Sequence, residues 1–184
     1  MKRLSVLALI LGGGAVLLLW NGRPTDVPAA APAATHSAWD LLDPQARCDS
    51  AVALVTYRDR WPTVCRWREP GGGLQGQAFP PPVGPPPYDQ PRIEIYVARN
   101  QTREELANAI AHELGHMHHT REPMNLAEWL AARNLPADTP SEVWTEDYAE
   151  VFATLFSPPA ARWRAPTARP SPEALAVLKA RFVS

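Results

Sequence analysis

His112 and His116 stand four residues apart in the stretch Ala111-His112-Glu113-Leu114-Gly115-His116. On a helix, side chains at that spacing differ in direction by only about 40°, so both imidazoles leave one face and can share one ion. Neutral imidazole nitrogen is a good donor to zinc, at roughly 2.0–2.1 Å, and two such rings fill half of a tetrahedral shell. Glu113, about 100° further round the helix, can take a proton from water beside the ion without itself binding it. Leu106, Ile110, Leu114 and Met117 fall on the opposite side, so the helix has an apolar face for a core and a histidine face for chemistry. The plainer reading, surface histidines on an ordinary amphipathic helix, explains neither the opposed faces nor the capped start described below.

A catalytic zinc takes a third protein ligand and keeps one position open. Glu146 and Glu150 are also four apart on a later helical stretch and share a face, as do Ala149 and Ala153. Small residues there allow close approach to the histidine helix. One carboxylate can bind the metal while the other accepts a ring N–H from a histidine and fixes its tautomer. The competing reading is a solvated helix face. Tyr148 points elsewhere and reads as packing.

With these residues the chain resembles gluzincin peptidases, in which His-Glu-x-x-His is followed on a later helix by a glutamate ligand. It is most similar to the anthrax lethal factor-type peptidase domain, which has a comparable Glu-x-x-Ala-Glu segment. The resemblance spans residues 92–157. It implies that Glu146 binds zinc, that Glu150 supports a ligand from outside, and that Glu113 is the general base of an endopeptidase acting on peptide or protein substrates. It also implies that the strand Ile93–Ala98 runs along the cleft and pairs with an extended substrate. The pattern departs at one place: Thr139 stands where a transition-state-stabilising tyrosine is expected, seven residues before Glu146. His119, one turn beyond His116 on the metal-facing side, is the candidate replacement donor. Against that, His118 and His119 read as exposed polar residues near a helix end. The metzincin pattern is a weak fit, because His119 and Glu122 occupy the positions where it needs glycine and His or Asp.

The surrounding elements follow from period and punctuation. Asp43 and Pro44 open a helix carrying Ala51, Leu54 and Val55, which must stop before Pro62. Residues 63–69 suit a strand. The segment 70–91, with Gly71-Gly72-Gly73 and seven prolines from Pro80 on, reads as a loop or covering arm, since proline cannot donate to a sheet ladder. From Arg92, Ile93, Ile95 and Val97 alternate with polar positions as in a half-buried strand. Thr102 and Glu105 form a capping box at the head of the histidine helix, which runs to about Glu122. Shorter helices are predicted at Leu126–Arg133 and Pro172–Phe182. Thr139, Pro140 and Glu142 start the glutamate helix, which ends before Pro158. The fold class is α+β: a minimal zincin-like domain, its small sheet packed on the histidine helix and the glutamate helix behind.

Lys2 and Arg3 precede an apolar run from Leu4 to Trp20, so residues 1–20 read as a signal peptide or a retained membrane anchor. Residues 21–37 are a Pro/Ala-rich linker, and 38–184 form the domain. Cys48 and Cys65, an even count in an exported chain, suggest a disulfide over buried thiols or a further metal site. With a formal net charge of -1 and no basic run longer than two residues, the chain is not expected to bind nucleic acid. Oligomeric state is not legible. Two rivals to the peptidase share its features: an exported, non-catalytic zinc-binding interaction module on the same fold, and an envelope protein whose metal serves only folding.

Overall fold

The Asp43 carboxylate accepts a hydrogen bond from the Ala46 N–H at 2.8 Å, and Pro44 occupies the first turn, where its missing N–H costs nothing. Helix α1 follows as Pro44–Val52. It ends earlier than Leu54 and Val55 suggest, because the Thr56 N–H donates to the Phe156 carbonyl at 2.7 Å and draws the chain off the helical path. The computed structural model describes residues 37–57, 59–72, 75–81, 90–121, 125–159 and 163–182. Residues 1–20 and most of the linker lie outside them. No helix among the described residues is long and apolar enough to cross a membrane.

Three strands follow: β1 (Thr63–Trp67), β2 (Gly76–Phe79) and β3 (Arg92–Val97). The sheet order is β1-β3-β2, with β1 parallel and β2 antiparallel to β3. Ile93, Ile95 and Val97 are buried, as their alternation requires. Two expectations need correction. The segment 70–91 is not wholly a loop, since it contributes β2. And β3 is the central strand with both edges paired, so it is not free to take up a further extended chain; β2 holds the edge on that side.

Helix α2 (Arg103–Arg121) opens on the reciprocal capping box: the Thr102 N–H donates to Glu105 Oε2 at 2.9 Å and the Glu105 N–H to Thr102 Oγ1 at 3.2 Å. Then come α3 (Leu126–Arg133), α4 (Ser141–Phe156) and α5 (Pro172–Phe182). Thr139 does not cap α4; its hydroxyl donates to the Pro136 carbonyl, and Pro140 holds the capping position. Helix α2 packs most extensively on α4 and also touches α1, β2 and β3. One core joins Leu106, Ile110, Leu114 and Met117 of α2 to the sheet and to Tyr148, Phe152 and Phe156 of α4. A disulfide links Cys48 of α1 to Cys65 of β1. The domain is a small α+β fold.

Candidate metal centre

Helices α2 and α4 approach closely because Gly115 faces α4 with no side chain. A Cβ at Gly115 would lie 2.7 Å from Ala149 Cα and 3.0 Å from Phe152 Cβ. That approach carries the Glu146 carboxylate to both imidazoles: its Oε2 lies 3.2 Å from His112 Nε2 and its Oε1 3.4 Å from His116 Nε2. One ligand atom from each of His112, His116 and Glu146 lies within 4.8 Å of the others. Bonds of 2.0–2.1 Å arranged tetrahedrally place neighbouring ligand atoms about 3.3 Å apart. The two nitrogen-to-oxygen separations are close to that spacing but run to different oxygens of Glu146, so a small turn of the carboxylate toward both rings completes a donor set that could hold a metal ion.

Glu150, one turn after Glu146, meets the other side of the His112 ring. Its Oε2 lies 3.2 Å from His112 Nδ1, and its Oε1 accepts the Arg164 backbone N–H at 3.1 Å. An ionised carboxylate only accepts, so in the metal-free site each nitrogen faces its glutamate with an N–H; an ion that displaced the Nε2 proton would leave Glu150 holding the one on Nδ1. The two glutamates thus differ in setting: Glu150 is 1% exposed, whereas Glu146 is 50% exposed beside the cavity. Burial alone would lower the His112 pKa, but the flanking Glu146 and Glu150, with Glu113 nearby, raise it to about 9. The two imidazoles hold the Glu146 carboxyl far below the ordinary carboxylate range.

Glu113 lies against β2. A Cβ at Gly76 would fall 2.6 Å from its Oε1, so only glycine leaves it this room. Burial pushes the Glu113 pKa up, while the charges of His112 and His116 and the Ala78 N–H pull it back. The Tyr96 N–H donates to the Gln75 carbonyl, so the backbone groups of Gln75 and Gln77 face β3 and those of Gly76 and Ala78 face outward. An open cavity of about 570 Å³ lies between this edge and α4, and His112, Glu113, His116 and Glu146 all line it.

His119 also lines the cavity, its ring against Trp144 and Tyr148, and burial lowers its pKa. His118 is not the exposed residue that its place near a helix end suggests. It is 9% exposed, with Nδ1 2.8 Å from the Tyr148 hydroxyl and its ring among Tyr57, Phe152 and Phe182. Tyr148 is fully buried, in keeping with a packing role, and Thr139 is not in the cavity wall.

Sequence reasoning missed Gln75, Gly76, Ala78 and Arg164, which complete the cavity wall. It also missed a buried pair behind α4: Arg133 donates from Nε to Asp147 Oδ2 and from Nη2 to Asp147 Oδ1, each at 2.8 Å. Asp147 also bonds Thr167, and Arg133 the Ala168 carbonyl, which ties the segment after α4 to that helix. A polar residue in each of two predicted helices was the only available signal. Comparison with family models, with curated proteins and with solved structures found no match to this chain.

Proposed function

We propose that this protein is a zinc-dependent endopeptidase of the gluzincin kind, exported from the cell. The reading rests on the convergence of His112, His116 and Glu146 from two helices, with Glu113 buried beside them at the floor of an open cavity. Two imidazoles and one carboxylate, with room left for water, suit a catalytic zinc better than a closed structural one. When bound there, zinc supplies an acidified water and a polarised carbonyl. Glu113 then takes a proton from the attacking water and delivers it to the departing amine, a transfer for which a carboxyl raised by burial is suited. Glu150 holds the His112 ring in the tautomer that presents Nε2. His119, in the same wall, is the candidate donor to the developing oxyanion. The outward backbone groups of Gly76 and the Ala78 carbonyl, apart from the Ala78 N–H that bonds Glu113, offer an extended peptide an edge to pair with. The Cys48–Cys65 disulfide is compatible with an exported protein.

One observation favours a second reading: among the described residues no tyrosine lines the cavity, so none of them matches the oxyanion donor usual in the resembled family. A non-catalytic zinc-binding module on this fold would keep the metal and lose turnover. A peptide-library digest with and without chelator separates the two. We expect chelator-sensitive cleavage, lowered by at least about a hundredfold in Glu113→Gln with one zinc per chain retained. Glu146→Ala should lose the zinc. Cleavage undiminished in Glu113→Gln rejects the mechanism.

A further inference from the structure

The geometry points to Arg164 as a subsite for a carboxylate of the substrate, a proposal that rests on the peptidase reading and specifies what it would act on. Arg164 lies between α4 and α5 and lines the cavity opposite β2. Its backbone is fixed close to the metal ligands, since its N–H donates to the carboxylate that holds His112. The residues after it are tied to α4 through Thr167 on Asp147 and to α3 through Ala168 on Arg133. A guanidinium on this segment therefore has a defined position relative to the reacting centre.

Like Arg60 and Arg103, which bond backbone carbonyls, Arg164 has a neutral hydrogen-bond partner, but it alone of these lines the cavity. Arg92, Arg121 and Arg133 each pair with a carboxylate, on Glu94, Asp59 and Asp147. Arg164 instead donates from Nη1 to Oε1 of Gln75, a neutral amide on the far wall, at 2.6 Å. The group is exposed and has further N–H donors than this one bond uses. Charge points the same way. Among the described residues lining the cavity, Arg164 is the only Lys or Arg, so its guanidinium is the fixed cation an anionic group would meet there. A guanidinium fork matches a carboxylate in shape as well as charge, and the attraction steers anionic ligands inward. The carboxylate can come from an acidic side chain or from the free end of a peptide.

The test uses the full-length, zinc-loaded Glu113→Gln protein titrated calorimetrically with alanine-rich peptides. These carry a single Glu or Gln walked along the sequence, with the C-terminus free or amidated. At least one carboxylate should tighten binding about tenfold over its amide, and the arm that shows it identifies side chain or terminus. Arg164→Gln should erase the difference. Gln75→Glu, which leaves Arg164 in place and gives it an internal carboxylate, should reduce it. Zinc content and melting temperature are measured for both variants. Equal affinity for all peptides, or a preference that survives Arg164→Gln, overturns the subsite. Cleavage by the unsubstituted protein is read in parallel. Cleavage indifferent to charge overturns the subsite alone, and carboxylate-dependent binding with no cleavage overturns the peptidase reading alone.

Discussion

A single proton on His112 governs what the metal-free site can do. With Glu146 at one nitrogen and Glu150 at the other, the ring stays protonated up to about pH 9. Its folded pKa thus lies above the value of 6.5 for an unperturbed histidine. The stability this contributes to the metal-free protein is fully present below about pH 6.5 and is lost as pH rises through 9. Zinc needs the unprotonated nitrogen, so uptake releases the proton and apparent affinity climbs with pH across the same window. Thermal melts of the metal-free protein should fall between pH 6.5 and 9, while competition titrations show zinc binding tightening. An affinity flat over that range would contradict the proton displacement. The residues of this cluster were legible because helical spacing alone put His112 with His116 and Glu146 with Glu150. Gln75, Gly76 and Arg164 were not, since nothing local in their segments says which wall they will meet.

Between elements, the decisive contact is the seam of α2 with α4. Gly115→Ala places a methyl group 2.7 Å from Ala149 Cα, against backbone that cannot step aside. We expect a loss of about 1–3 kcal/mol of stability by denaturant titration. Zinc affinity should fall as well, because Glu146 rides on the displaced helix. Unchanged zinc binding would mean that the carboxylate adapts independently of the seam. The long helices were readable from capping and punctuation, down to the Thr102–Glu105 reciprocity. Strand β2 was not. Four residues, Gly76–Phe79, with prolines close behind, carry no alternation of their own, and their pairing is set by β3 across the sheet. Likewise α1 stops at Val52 because of a bond to Phe156, a partner far along the chain.

Across the whole molecule, the order of helices and strands sufficed for the α+β class, but not for the sheet order. In β1-β3-β2 the first and third strands pair in parallel while the second takes the opposite edge, an arrangement fixed by tertiary packing. The Cys48–Cys65 crosslink joins α1 to β1, and neither element contributes a residue to the cavity. Thiols and chelators should therefore injure this protein by separate routes. Opening a crosslink between residues 17 apart removes about 3 kcal/mol of unfolded-state constraint. A reduced sample should melt earlier yet still titrate with one zinc at unaltered affinity below its transition, whereas a chelated sample keeps its crosslink and forfeits only the ion. With an ion bound as proposed, the fold would have two independent ties, a crosslink that an oxidising medium preserves and a metal that a reductant leaves in place.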